Sequence, residues 1–179
     1  MCLLCDKTPH ENIKELTICN NYVGSIPDTL VKLQFLYCSD TQLSGSIPDT
    51  LVKLCNLDCR NTQISGSIPD TLVELRYLNC YNTQISGSIP NTFVKLWYIN
   101  CSNTSISGSI PNTLVRLYYL YCSDTQISDI FAPNVSEKNI KGCLWLNKEL
   151  ISMNVKPLIT EYLIKDLSNI VMEYLTLDE

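Results

Sequence analysis

The chain has 179 residues, of which 45% are hydrophobic and 17% are charged, and its formal net charge is −5. This length predicts one domain with a short extension. The acidic balance argues against nucleic acid or an anionic membrane surface as the partner, because phosphate binding needs clustered Lys and Arg. Residues 1–15 lack a long apolar run, and no stretch approaches the roughly 18 apolar residues that span a bilayer. We therefore expect a soluble protein of the cytoplasm.

Residues 1–12 form an N-terminal flank that precedes any repeat. Cys2 and Cys5 make a C-x-x-C motif without a second pair, which favours a plain terminal segment over a redox or metal site. His10 is the only histidine, and the sequence places no carboxylate or nucleophile beside it. We therefore predict that the chain is not an enzyme, with no catalytic residue, no cofactor and no bound metal.

A 21-residue period organises residues 13–130 into a solenoid domain. Four copies align in register at 36–56, 57–77, 78–98 and 99–119, and one of them reads LDCRNTQISGSIPDTLVELRY. A shorter copy precedes them, and a partial copy begins at Leu120. Such repetition predicts about six turns, each packed only on its neighbours.

Each position in the unit predicts a place in the turn. The opening Leu-x-Cys alternates and predicts a short strand with both side chains inward, so that stacked strands form a parallel sheet. The following Thr, as at Thr62, predicts a hydroxyl bond to the backbone where the chain leaves the strand. Gly66 suits a positive φ, and Ile-Pro predicts an extended segment without helix. Two more apolar positions, such as Leu51 and Leu54, close the turn.

The unit L-x-x-L-x-C-x-x-T-x-I-S-G-S-I-P-x-T-L-V-x resembles leucine-rich repeats. Its S-G-S-I-P stretch is most similar to the plant-type subclass with the L-x-G-x-I-P signature, although the unit is shorter and Thr replaces the usual Asn, so that a threonine ladder is expected. The resemblance implies an α/β repeat solenoid, a horseshoe with a parallel sheet on its concave face. Cys-rich arrays of this kind are also similar to those of amoeba-infecting giant viruses, which would place the protein in host cytoplasm.

One cysteine per turn falls in a single inward column, namely Cys19, Cys38, Cys59, Cys80, Cys101 and Cys122. Buried free cysteine behaves as a small hydrophobic residue. The alternatives are a metal ladder or a disulfide zipper, but tetrahedral zinc needs ligands that converge on one point. Free thiols also favour a reducing compartment. Cys55 is expected to face outward.

A second column follows Ile-Pro and contains Asp28, Asp49 and Asp70, continued by Asn91 and Asn112. Calcium requires several oxygens around one ion. We therefore expect solvated side chains in this column.

The sequence varies most on the outward face of the strands. Aromatic residues and Arg are favoured anchors at protein interfaces, and solenoids bind along this face; alternatively, stacked Tyr simply suits a sheet surface. Asn79 is expected to be exposed there. We predict a monomeric module that binds a protein of unknown identity on the concave sheet face through Phe35, Tyr37, Arg60, Tyr77, Tyr81, Trp97, Tyr98, Tyr118, Tyr119 and Tyr121.

Residues 131–179 depart from the repeat and predict a helical C-terminal cap or interaction segment, with apolar residues at helical spacing from Ile159. The stretch 163–175 also resembles the opening helix of an F-box, although Ile164 stands where that family has Pro and the later helices are missing. This resemblance implies an alternative function, a substrate adaptor of a ubiquitin ligase. Its docking residues would be Leu163, Asp166, Leu167, Val171, Tyr174 and Leu175.

Overall fold

The computed structural model describes residues 12–129, which form short strands joined by turns. The N-terminal flank up to residue 11, the C-terminal cap and the F-box-like stretch lie outside the described residues. In chain order the strands are β1 (Glu15–Thr17), β2 (Phe35–Tyr37), β3 (Ser44–Gly45), β4 (Asn56–Asp58), β5 (Gln63–Ser67), β6 (Tyr77–Asn79), β7 (Gln84–Gly87), β8 (Tyr98–Asn100), β9 (Ser105–Ser109), β10 (Tyr119–Tyr121) and β11 (Gln126–Asp129).

The Leu-x-Cys segments form the first sheet. Its six parallel strands follow the order β1-β2-β4-β6-β8-β10, with one strand from each turn. The central residue of each strand points inward, and its register partners are again central residues, as in Leu57 paired with Leu78. The predicted solenoid of about six turns with a parallel sheet is therefore confirmed.

The S-G-S segments form a second sheet that the sequence did not predict as strands. Its five strands follow the order β11-β9-β7-β5-β3, and the paired strands are parallel. Glycine in the middle of each segment hides the strand pattern, because glycine is depleted in strands. It is required here, since Gly66 has a φ of 80° and a Cβ on Gly45 would lie 3.1 Å from the Cβ of Ser25.

The return from the second sheet to the first is made of turns, and residues 12–129 contain no helix. The N–H of Leu72 donates to the carbonyl of Pro69 at 3.4 Å, and the N–H of Leu75 donates to the carbonyl of Leu72 at 3.0 Å. The helical part of the expected α/β class thus has no counterpart in the described array. Within these residues there is also no helix that could cross a membrane.

The core is a column of apolar side chains between the two sheets. Ile68 and Leu72, for example, are 4% and 0% exposed. Threonine hydroxyls join successive turns on the outside, for example Thr71 Oγ1, which donates to the carbonyl of Asp49 at 2.7 Å. Stacking thus fixes each turn against the next and holds the strand side chains in straight columns.

Candidate functional site

The chain leaves each strand of the first sheet through a fixed turn. Thr62 Oγ1 donates to the carbonyl of Cys59 at 2.7 Å, and the other repeat threonines bond in the same way, so the predicted hydroxyl bond is confirmed. The side-chain hydrogen bonds that join one turn to the next are instead made by the residue that precedes each of these threonines. Asn61 Nδ2 donates to Asp40 Oδ1 at 2.7 Å, and Asn82 Nδ2 donates to Asn61 Oδ1 at 3.0 Å.

The expected threonine ladder is therefore wrong, and an exposed amide ladder takes its place. The reason is local geometry: the Thr hydroxyl is saturated by a carbonyl of its own turn, whereas the preceding residue has a positive φ, 55° at Asn61. Asn and Asp adopt this conformation at lower cost than other residues with a side chain. The repeated Asn or Asp before each Thr was the signal in the sequence.

Strand register aligns the varied outward side chains into two columns. One contains Phe35, Asn56, Tyr77, Tyr98 and Tyr119, and the next contains Tyr37, Asp58, Asn79, Asn100 and Tyr121. Both columns follow from the 21-residue period, because equivalent residues of successive turns are paired in the sheet. That they bind a partner stays a prediction.

Six rings on the later turns form one contiguous group, which we call the aromatic cluster: Tyr77, Trp97, Tyr98, Tyr118, Tyr119 and Tyr121. The rings of Tyr77 and Tyr98 stack with centroids 4.4 Å apart and an interplanar angle of 10°. Trp97 meets Tyr98 and Tyr119 edge-on at 5.9 and 6.0 Å. Trp97 is 43% exposed and the five tyrosines are half-buried, so the cluster presents aromatic groups to solvent around the Trp97 ring.

Tyr98 lies at the centre of the aromatic cluster. Burial raises the pKa of its hydroxyl to about 12, and the neighbouring hydroxyls of Tyr77 and Tyr121 add to the rise. The phenol therefore stays neutral across the physiological range. The middle of the cluster combines ring faces with an uncharged hydroxyl that can both donate and accept.

The remaining predicted anchors lie outside the aromatic cluster. Phe35 is 36% exposed, but Asn56 separates it from Tyr77 in their column. Tyr37 is half-buried and Tyr81 is exposed. The structure thus brings together six of the ten predicted residues, all of them aromatic.

Arg60 is held by neighbouring carboxylates rather than presented alone. Its Nη1 lies 3.2 Å from Asp58 Oδ2, and its Nε lies 3.9 Å from Asp40 Oδ2. Burial nevertheless raises the pKa of the Asp58 carboxyl, with a further rise from Asp40, against the lowering effect of Arg60. Desolvation of Asp58 therefore outweighs its attraction to the guanidinium.

The expectation that Asn79 is exposed is wrong, since only 5% of it is accessible. Its Oδ1 accepts a hydrogen bond from the N–H of Tyr81 at 3.3 Å. Asp58 and Asn100, its partners on either side in the sheet, bond the N–H two residues later in the same way. This short-range bond is typical of Asn and Asp, and it turns the side chain down onto its own backbone.

The inward cysteine column is confirmed at the four middle turns. Cys38, Cys59, Cys80 and Cys101 are fully buried free thiols, while Cys19 and Cys122 are partly buried. Burial raises the pKa of Cys38 and of Cys80 to about 12, and that of Cys59 well above its usual value. Cys55 is half-buried rather than fully outward. Among residues 12–129, no group of three metal-binding side chains converges on one point.

The acidic column lies along an open groove that is lined by residues of β3, β5 and β7 and by the segments that follow these strands. Repeated Ser-Ile-Pro-Asp segments line it, and Asp28, Asp49, Asp70 and Asn91 are exposed. Their backbone carbonyls accept hydrogen bonds from the next turn, whereas the side chains face solvent. This arrangement agrees with the solvated column that the sequence predicted.

Comparison with known proteins identifies the repeat. The family model of the Leucine Rich Repeat matches residues 32–54, 74–96 and 95–117. A search of curated proteins gave no significant match.

Many solved structures share the fold. The Arabidopsis receptor kinase HAESA, crystallised with the peptide hormone IDA and the co-receptor SERK1, is 28% identical with a TM-score of 0.60 over 74% of this chain and 25% of that chain. The ectodomain of the Arabidopsis receptor kinase SOBIR1 is 25% identical with a TM-score of 0.57, over 64% of this chain and 72% of its own. The Arabidopsis BIR2 ectodomain is 28% identical with a TM-score of 0.52, over 71% and 70%. The chain spans only about a quarter of HAESA.

These comparisons also correct the expected location. The similar structures are ectodomains of plant receptors, so the cytoplasmic assignment, which rested on free thiols and on the absence of a leader-like run, is wrong. Free buried thiols are explained by packing in the inward column and do not report a compartment. Repeat spacing, strand register, the family model and the solved structures agree: the repeats of this chain are leucine-rich repeats, and residues 12–129 form a leucine-rich-repeat solenoid.

Proposed function

We propose that this chain is a non-enzymatic protein-interaction module and that it binds its partner through the outward face of the first sheet. The observation that carries the proposal is the aromatic cluster. Hydrogen bonds to their own backbone engage Asp58, Asn79 and Asn100 in the same sheet, but nothing in the scaffold requires six rings in contact at its surface. Aromatic anchors surrounded by neutral polar groups are typical of binding hot spots.

The similar structures support this kind of function. HAESA was crystallised in complex with a peptide hormone and a co-receptor, so a protein that shares this fold forms complexes with a peptide and a protein in at least that case. In this chain the amides of Asn79 and Asn100 are engaged by their own backbone. The rings and phenol hydroxyls are therefore the groups left to contact a partner.

The experiment is a pull-down with mass spectrometry from cells that express the chain. The Tyr77/Tyr98/Tyr119→Ala triple variant should remain folded by circular dichroism and lose the main partner. Ser67→Trp is the matched control, because it places a bulky ring in the groove on the other side and should leave binding unchanged. If the triple variant keeps every partner while Ser67→Trp loses one, the groove is the binding surface and the proposal is wrong.

The adaptor hypothesis rests on the sequence of residues 163–175 and stays a prediction. A form that ends at residue 155 provides its test in the same pull-down. Loss of ubiquitin-ligase components with retention of the main partner is the result that the adaptor requires. Loss of solubility without loss of any ligase component would indicate a cap instead.

A further inference from the structure

The basic side chains of the array are concentrated at one edge. Residues 12–129 contain seven Lys and Arg. All except Arg60 lie within three residues before a strand of the first sheet, and because the strands are parallel, these positions share the edge at which the chain enters the sheet. We call it the entry edge; its basic residues are Lys14, Lys32, Lys53, Arg76, Lys95 and Arg116.

The acidic residues of the array lie mostly elsewhere. Asp58 is the last residue of β4, Asp40 and Asp124 follow the ends of β2 and β10, and the groove carries a further column of aspartates. Only Glu15 and Glu74 belong to the entry edge. A net acidic chain thus presents a local positive strip, which its total charge conceals.

Glu74 shows what the entry edge attracts. Both of its carboxylate oxygens accept from Lys95 Nζ at 2.7 Å. The pKa of this half-buried carboxyl is lowered by the hydrogen bond from Lys95 and by the charges of Lys95, Lys53 and Arg76, although desolvation opposes the shift. Several cations from three successive turns therefore act on a single carboxylate.

The entry edge adjoins the aromatic cluster. Arg76 and Trp97 are neighbours in one column, since the N–H groups of Trp97 and Tyr98 both donate to the carbonyl of Arg76. Arg116 stands three residues before Tyr119. Within the described residues, Lys53, Arg76 and Arg116 form no salt bridge, so their charges are available beside the rings.

From this charge complementarity we infer that the partner at the first sheet is an acidic, extended peptide segment, whose carboxylates face Lys53, Arg76 and Arg116 while its apolar side chains cover Trp97 and Tyr98. The inference rests on the proposed function and adds the chemistry of the partner. Lys53 and Arg116 are three turns apart, about 14 Å at the usual strand spacing, which a short extended peptide spans. Free cations next to exposed aromatic rings recognise anionic and apolar groups together.

The test uses fluorescence anisotropy with a labelled ten-residue peptide of alternating Glu and Pro, which is extended and carries regular carboxylates. The neutral control replaces Glu by Gln, and a ten-residue thymidine oligonucleotide represents nucleic acid. The acidic peptide should bind at least about tenfold more tightly than the neutral one at low salt, and the difference should shrink as salt rises. Equal binding of the two peptides, or no binding of the acidic one, overturns the inference.

Two variants locate the contact. Arg76→Gln and Arg116→Gln should each weaken binding of the acidic peptide by about two- to fivefold, as expected for exposed charge pairs. Glu74→Gln should strengthen it, because it removes the internal competitor of Lys95. The matched control is Arg60→Gln, which changes a basic residue outside the entry edge and should leave the peptide affinity unchanged.

The outcomes separate this inference from the proposed function. If the Tyr77/Tyr98/Tyr119→Ala variant loses its partner in the pull-down but the Arg76 and Arg116 variants bind normally, the sheet face is the site and the partner is not acidic. If the oligonucleotide binds more tightly than the acidic peptide and depends on the same arginines, the inference is wrong and the edge binds nucleic acid.

Discussion

The two sheets of the array are built by the same repeat, but they differ in how far their outward residues vary. The second sheet repeats Ser-Gly-Ser in nearly every turn, and its hydroxyls bond the previous turn, as Ser65 Oγ does at the carbonyl of Gly45. The first sheet presents Phe, Asn, Tyr, Tyr and Tyr at one equivalent position. Residues that are the same in every turn are thus those that join one turn to the next, whereas residues that vary from turn to turn do not have this structural role.

Thiol reactivity gives the largest expected contrast between scaffold and surface. Cys38 and Cys80, whose pKa values are raised by burial to about 12, should react with iodoacetamide at pH 8 at least about tenfold more slowly than half-buried Cys55, because the thiolate is the nucleophile and both thiols are buried in the array. Peptide mapping by mass spectrometry measures each site in the native protein. Equal rates at Cys55 and Cys80 would show that the inward column opens readily.

Removal of a scaffold side chain should cost the most stability. Leu72→Ala leaves a cavity at a fully buried position and should lower the free energy of unfolding by about 2–5 kcal/mol. Val73→Ala is the matched control. The Val73 side chain is 43% exposed, so its truncation should cost less than about 0.5 kcal/mol. Urea unfolding followed by circular dichroism measures both; similar midpoints would contradict the assignment of inside and outside.

A smaller effect is expected at the turn that connects the two sheets. Thr62→Val keeps the shape but deprives the carbonyl of Cys59 of its hydroxyl donor, which should cost about 1–3 kcal/mol. Thr62→Ser keeps the hydroxyl and should be closer to the parent protein. If Val is tolerated as well as Ser, the hydroxyl bond is dispensable and shape alone accounts for the repeated Thr.

The smallest effect is expected on the varied face, and it should depend on pH. The pKa of Asp58 is raised by burial, so the folded state binds its proton more tightly than the unfolded chain does. Its ionisation therefore destabilises the fold as pH rises from the unfolded pKa, about 3.9, through the folded value. Asp58→Asn should be the more stable protein at pH 7, and this advantage should disappear below about pH 4.

Urea midpoints at pH 7 and pH 3.5 measure the effect of Asp58→Asn. Asn is already present at the equivalent positions 79 and 100, so the replacement suits the local backbone. An Asn variant that is less stable at pH 7 would mean that the ion pair with Arg60 outweighs desolvation.

The scaffold was predictable from the sequence because its residues recur with one period. The inward column, the strand register and the hydroxyl bond of Thr62 all follow from repeated apolar and polar positions. The second sheet was missed because Gly66 breaks the strand pattern, and the burial of Asn79 was missed because its bond runs to its own backbone. Neither effect is visible in a periodicity of apolar residues.

The candidate site was only partly predictable. The period placed the outward columns, but it treated all ten predicted anchors as equivalent. Two rings come into contact only when adjacent turns both have an aromatic residue at the position. Asn56 lies between Phe35 and Tyr77 in their column, so these two rings are separated. The entry edge was missed because the Lys and Arg residues were considered only as part of the net charge, and their positions relative to the strands of the first sheet were not compared. Identity of the partner depends on that placement and not on composition.

The hydrogen bonds between successive turns have a consequence for the history of the chain. Each inner turn donates hydrogen bonds to the preceding turn and accepts equivalent hydrogen bonds from the following turn. Asn82, for example, donates to the side chain of Asn61 and accepts from the side chain of Asn103. A duplicated copy of 21 residues would therefore fit between any two turns without a new kind of contact. Tandem gene duplication can lengthen such an array by whole turns, while point substitutions on the first sheet then distinguish one turn from the next.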